Sequence, residues 1–271
     1  MKAKSLIAAL GACLWLFNPY FFPFAQGATR LDLAVEHGVD NKSEAQARLA
    51  IDTAIKFFQN TYGLALERDL QIILVPNQDT YRNALIRYYG LKDNEARDLA
   101  EKTSGFSRGA LGATIIVNMG NLHNSHAQLF CLCHEIVHQF QSQESRDQHN
   151  SLRWLSEGVA DALAAHILET AGLTRGIDYK NLWQGIIKKA PRWPRLENLH
   201  TYKEWFAAMD DNGSQVTYGT AAVAVLTLVQ WKGYRPLFVY FSTIKQSGPD
   251  PAFYQAFGTK AADFEKQFSP Y

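Results

Sequence analysis

The stretch His134-Glu135-Ile136-Val137-His138 decides how the rest of this sequence is interpreted. On a helix, residues four positions apart lie about 40° apart around the axis, so both imidazoles reach from one face toward a single metal ion. Glu135 is turned by about 100° from His134. Its carboxylate therefore stands beside the metal, where it can take a proton from bound water. The run at 128–133 is apolar and free of Gly and Pro, as a buried helix requires.

A second motif supplies the ligand that two histidines leave missing, because catalytic zinc usually takes three protein ligands and keeps a fourth position for water. Glu157 follows His138 after a gap of eighteen residues and lies in a predicted helix at 154–171. Asp161 comes one turn later on the same face, where it can accept the other ring N–H of a ligand histidine. The sequence therefore predicts one zinc ion per chain, held by three side chains: His134, His138 and Glu157.

Together, the two motifs resemble the gluzincin zinc metallopeptidases, and more closely their small single-domain members, called peptidase MA-like. The similarity runs from about residue 70 to the C-terminus. It implies hydrolysis of peptide bonds with Glu135 as general base. It also implies a downstream Tyr or His that steadies the oxyanion, and Tyr218 matches that position in order and approximate spacing. His200 and Tyr202 remain rivals for the same role.

The resemblance further implies an edge strand before the zinc helix, which binds the extended substrate through its backbone. The segment 109–118 is the matching one, with Gly112, Ala113 and Thr114 as expected substrate-binding residues. An ordinary strand, paired on both sides, is the alternative interpretation of this segment.

Hydrophobic periodicity predicts an α+β fold. A small N-terminal sheet of three or four strands is expected to lie over a mostly helical half, with the zinc cleft between them, in the zincin-like arrangement that the resemblance implies. Residues 28–271 are expected to form one catalytic domain, since no linker or internal repeat interrupts them. The predicted strands are 70–75 and 113–118. The predicted helices include 40–62, 79–89, 92–103, 179–189, 202–209, 215–231, 236–245, 251–257 and 261–268.

The N-terminal residues 1–27 have the features of a signal peptide. Lys2 and Lys4 precede an apolar region at 5–17, and Ala25-Gln26-Gly27 offers small residues at a cleavage site after Gly27. The chain is therefore expected to be exported, either secreted or periplasmic. The alternative is an uncleaved segment that anchors the protein in the membrane.

Charge and motif content narrow the choice of partners. The formal net charge is +1 and no basic run exists, which argues against nucleic acid and leaves a peptide or protein as the expected substrate. The Gly-x-Met-Glu-Asn motif of gluzincin aminopeptidases is absent, which favours endopeptidase action. The alternative function is a zinc-containing binding or cell-surface module without turnover, although a purely structural site needs no base such as Glu135. The sequence does not indicate the oligomeric state.

Overall fold

The computed structural model describes residues 30–108, 113–146, 152–174 and 177–271. The predicted signal peptide and Gly112 lie outside the described residues. The strands are β1 (Leu31–Val35), β2 (Leu70–Val75), β3 (Gly105–Arg108) and β4 (Ala113–Asn118). The helices of the N-terminal half are α1 (Asn41–Tyr62), α2 (Gln78–Tyr89) and α3 (Asp93–Lys102). Those that follow are α4 (Ser125–Glu144), α5 (Arg153–Thr170), α6 (Tyr179–Lys189), α7 (Tyr202–Asn212), α8 (Ser214–Lys232), α9 (Arg235–Ser247), α10 (Pro249–Phe257) and α11 (Ala261–Gln267).

The four strands form one mixed sheet in the order β1-β2-β4-β3. β1 and β4 run parallel to β2, whereas β3 runs antiparallel to β4. Because successive side chains of a strand point to opposite faces, β2 and β4 contribute side chains to two hydrophobic cores, one on each face of the sheet. Ile115 and Val117 pack into the main core with α1, α4 and α5, while Ile116 packs on the other face against α2 and α3. The class is therefore α+β, with most of the described residues in helices.

The described part of the segment expected to be an edge strand, residues 113–118, is internal to the sheet, so that prediction is wrong. Thr114 is paired on both sides, with Gln71 of β2 and Arg108 of β3, and Ala113 is paired with Leu70 of β2. A run that is apolar at successive positions, as in β4, is typical of a strand covered on both faces. The edge next to α4 is instead β3, a four-residue strand in a stretch that the sequence indicated only as turn-rich. Its Gly and Ser give little strand preference.

Helix α5 lies in the interior of the helical half and is buried on nearly every face. It packs between α4 and α8. At Gly158 the backbones of α5 and α8 come very close, because a Cβ placed there would overlap the carbonyl group of Ala221. None of the helices in the described part of the chain combines the length and the apolarity that crossing a bilayer requires.

We predict that Gly158→Ala destabilises the protein, because the added methyl group has no space between α5 and α8. The expected loss is about 1–3 kcal/mol in the free energy of unfolding, the usual cost of overpacking a core. Gly185→Ala in α6 is the matched control, since nothing lies within 4 Å of a Cβ at that position. This change should stabilise by about 0.5–1 kcal/mol through helix propensity. Chemical denaturation of both variants checks the opposite signs.

Candidate metal centre

The candidate metal centre lies where α4 and α5 pack together. Helix α4 begins with a cap in which the Asn124 side chain accepts from the Ala127 N–H at 2.8 Å, and the motif follows in the middle of the helix. One face of α4 carries His134 and His138 toward Glu157 on α5. The potential ligand atoms of these three side chains all lie within 4.8 Å of one another.

The spacing within this group is close to that of a tetrahedral metal site. The Nε2 atoms of His134 and His138 are 3.0 Å apart. Glu157 Oε2 lies 3.4 Å from Nε2 of His134, and Glu157 Oε1 lies 3.4 Å from Nε2 of His138. Zinc bonds of about 2.0–2.1 Å in tetrahedral geometry separate neighbouring ligand atoms by about 3.3–3.4 Å. The two 3.4 Å separations involve different oxygens of Glu157, so small movements of these side chains would bring three ligand atoms onto one face of such a site.

Both imidazoles are oriented through their other ring nitrogen. Nδ1 of His134 lies 2.8 Å from Asp161 Oδ1, and Nδ1 of His138 lies 2.8 Å from Gln141 Oε1. The Gln141 amide is fixed in turn, because its Nε2 donates to the Ser156 carbonyl at 2.9 Å. Since both Nδ1 atoms face acceptors, the Nε2 lone pairs of the two rings point at each other. Two lone pairs at this distance need a proton or a metal ion between them.

Glu157 adds a buried carboxylate oxygen that no hydrogen bond satisfies. Arg153 Nη2 lies 2.5 Å from Glu157 Oε1 as an ion pair, yet outside hydrogen-bond geometry, and this oxygen has no hydrogen-bond donor. Burial raises the pKa of Glu157, but Arg153 and His138 outweigh it and hold that pKa well below its ordinary value. The carboxylate is therefore charged. An anionic oxygen without a donor, beside two imidazole lone pairs, fits a divalent cation.

Protons compete with a metal ion for the same lone pairs. Burial lowers the pKa of His134, but hydrogen bonds with Asp161 and Glu157 and their negative charges outweigh this effect and raise that pKa well above its ordinary value. The site therefore attracts positive charge, either as a proton or as a metal ion.

The centre opens into a cavity of about 870 Å³ between the sheet and the helical half. Glu135 lines this cavity together with His134, His138 and Glu157. Strand β3 lies directly beside Glu135 in the cavity wall. A Cβ atom added to Gly105 of β3 would stand 2.7 Å from Glu135 Oε1. Only a residue without a side chain allows the strand to approach the carboxylate so closely.

The three rivals for the oxyanion role occupy different parts of the cavity. The Tyr218 ring lies 6.0 Å from the His134 ring, and burial raises the pKa of Tyr218 well above its ordinary value, so its hydroxyl stays protonated as a donor. His200 is held by Glu265, with 2.8 Å between Nε2 and Oε1, and this hydrogen bond raises the pKa of His200. Tyr202 lies over the Arg153 guanidinium at 3.8 Å. Of the three, Tyr218 is the one whose ring packs against a histidine of the centre.

The expected substrate residues on β4 do not line the cavity. Gly105, Phe106 and Ser107 of β3 line it, whereas Ala113 and Thr114 are not among its lining residues. The Thr114 carbonyl accepts a hydrogen bond of 2.7 Å from the Tyr89 hydroxyl. The sequence interpretation missed β3 and also Gln141, although Gln141 could have been noticed as a polar residue one helical turn after His138.

No protein-family model matches this chain, and no curated protein matches it in a sequence comparison. The interpretation of the centre therefore depends on its own geometry.

We predict that the purified protein binds one zinc ion and that this requires Glu157. Asp161→Asn changes only the hydrogen bond that orients His134, and it should weaken zinc binding by about 10–100-fold. Glu157→Ala removes a ligand and should weaken zinc binding further. Glu169→Ala, at the exposed end of the same helix, should leave zinc affinity unchanged. Elemental analysis and competition with a chelator measure stoichiometry and affinity. Equal zinc content in Glu157→Ala and wild type would contradict the three-ligand site.

Proposed function

We propose that this protein is an exported zinc metallopeptidase of the gluzincin type, with a zincin-like catalytic domain. The observation that carries the proposal is the pair of imidazole nitrogens 3.0 Å apart, facing each other beside the buried Glu157. A general base, Glu135, lines the same cavity. A purely structural metal site would usually be closed by a fourth ligand and would need neither a cavity nor a base.

In this proposal His134, His138 and Glu157 hold the metal, and Asp161 and Gln141 keep the two rings in place. Zinc, when bound, would polarise the carbonyl of the scissile peptide bond and make a water molecule more acidic. The Glu135 carboxylate takes a proton from the water molecule as the water oxygen attacks the carbonyl carbon. The same carboxylate then gives the proton to the amine nitrogen as the C–N bond breaks.

Tyr218 completes the chemistry as a donor to the carbonyl oxygen, which gains negative charge only in the transition state. A donor that acts there lowers the barrier without binding the substrate more tightly. The substrate backbone is placed along the outer edge of β3, which has a strand neighbour on one side only within the described sheet. Backbone N–H and C=O groups at such an edge can pair with an extended peptide.

The proposal includes export because residues 1–27 have the sequence features of a signal peptide. The proposed substrate is a peptide or a protein. Peptide-bond hydrolysis and the alternative, a zinc-containing binding module, differ in one measurable respect. Both require zinc, but only the peptidase requires Glu135 to turn over.

We predict that Glu135→Gln retains one zinc ion and loses hydrolysis, since the amide cannot take a proton from water. The expected fall in kcat is at least about 10²–10⁴-fold, the usual contribution of a general base. Glu144→Gln makes the same change on the same helix outside the cavity and should keep full activity. Cleavage of an unfolded protein substrate by zinc-loaded wild type, followed by mass spectrometry, is the assay. A wild-type protein that holds zinc and cleaves nothing would favour the binding module.

We predict that Tyr218→Phe lowers kcat by about 10²–10³-fold with little change in KM, because the lost hydroxyl acts in the transition state. Tyr254→Phe, at a tyrosine whose residue is 58% exposed, is the control. Steady-state kinetics of the zinc-loaded variants provide the measurement. A larger loss of kcat in His200→Gln than in Tyr218→Phe would move the oxyanion role to His200.

A further inference from the structure

A row of four side chains crosses one wall of the cavity, from the metal helix α5 to α3 on the sheet side. The Arg153 guanidinium lies over the Tyr202 ring at 3.8 Å, and the Tyr202 and Phe206 rings stack with centroids 6.4 Å apart. Lys102 Nζ lies over the Phe206 ring at 5.4 Å. Lys102 also pairs with Asp98 at 2.8 Å and with Asp210 of α7 at 3.1 Å. Helix α7 thus joins the two halves along this wall.

Arg153 is the single Lys or Arg among the described residues that line the cavity. Its ion pair with Glu157 is formed through Nη2, and a guanidinium has five N–H donors in all. Its Nε is buried and makes no hydrogen bond, and 17% of the side chain remains exposed. The Tyr202 ring and the Glu157 carboxylate hold the group in one orientation. The result is a fixed, partly exposed cation beside the candidate metal centre.

We propose that Arg153 binds a carboxylate of the peptide substrate, next to the bond that is cleaved. This inference rests on the proposed function and adds a substrate class to it. A planar guanidinium matches a carboxylate with two parallel N–H···O bonds, which a neutral amide cannot make.

The other charged residues of the cavity restrict where that carboxylate can lie. Glu95 and Asp98 on α3 and Asp250 on α10 line the remaining wall and would repel a negative group. Asp98 is neutralised by Lys102, but the wall offers no free cation from Lys or Arg among its described residues. The carboxylate is either the free C-terminus of a peptide or an acidic side chain, and these two sources share the same chemistry.

Arg153 also touches Glu157, so a purely positioning role has to be separated from substrate binding. If Arg153 only holds the Glu157 carboxylate toward the histidines, its replacement changes zinc affinity and leaves the choice between peptides unaltered. If it binds the substrate, its replacement removes that choice.

The test measures binding of three matched peptides to zinc-loaded Glu135→Gln, in which the peptides stay intact. They are an N-acetylated apolar tetrapeptide with a free carboxyl terminus, the same peptide as its C-terminal amide, and that amide with Glu as its last residue. Isothermal titration calorimetry should show at least one carboxylate peptide binding about tenfold or more tightly than the neutral amide. Preference for the free acid assigns the C-terminus, and preference for the Glu peptide assigns an acidic side chain. Equal binding of all three, or no binding, overturns the proposal.

Adding Arg153→Gln should abolish the preference, with zinc content measured in the same samples. Arg87→Gln is the matched control, because Arg87 also lies over a tyrosine ring, at 5.1 Å from Tyr88, but outside the cavity. A preference that survives Arg153→Gln assigns only the positioning role. If this variant loses zinc, the comparison of the three peptides with zinc-loaded Glu135→Gln still tests whether a carboxylate is preferred. Arg153→Lys then tests whether a positive charge without the planar group restores part of that preference. Failure of zinc-loaded wild type to cleave any peptide counts against the proposed function and leaves the binding comparison intact.

Discussion

A charged carboxylate buried in an apolar helix is the constraint on which the rest of this structure depends. Glu157 is 1% exposed and lies in α5, a helix surrounded by core residues. Burying such a group costs several kcal/mol unless opposite charge compensates it. The structure supplies that compensation from two sides, with Arg153 on the same helix and with the positive charge that the imidazoles of α4 attract, as a proton or as a metal ion. The packing of α4 against α5 is therefore an electrostatic requirement as well as a hydrophobic contact.

The sequence predicted the parts of this molecule that depend on local spacing. The common face of His134 and His138 on α4, and that of Glu157 and Asp161 on α5, follow from helical periodicity, since residues four apart share a face. Glu157 could be assigned from its separation from the motif, because two helices joined by a short connection pack side by side. Both buried strands, β2 and β4, were found with the bounds that the structure has, owing to their β-branched apolar runs.

What the sequence could not predict depends on contacts between distant segments. β3 has only four residues and little strand preference, so its pairing with β4 is decided by tertiary packing. For the same reason the edge of the sheet was assigned to the wrong strand. The partner of His200 is Glu265, sixty-five positions away in α11, and no local pattern connects the two. The stacking of Tyr202 on Arg153 likewise joins two helices that are far apart in the sequence.

The close approach at Gly158 has a consequence for motion. Gly158 is the neighbour of Glu157, and Ala221, which it touches, lies one helical turn after Tyr218. The proposed metal ligand Glu157 and the proposed oxyanion donor Tyr218 are thereby carried on two helices whose backbones meet directly at Gly158. Such an interface leaves little room for α5 and α8 to slide past each other. We therefore expect any opening of the cavity to displace β3 and α3 relative to these two helices. In related sequences, glycine is expected to persist at position 158, because the carbonyl group it faces is present whatever residue occupies position 221.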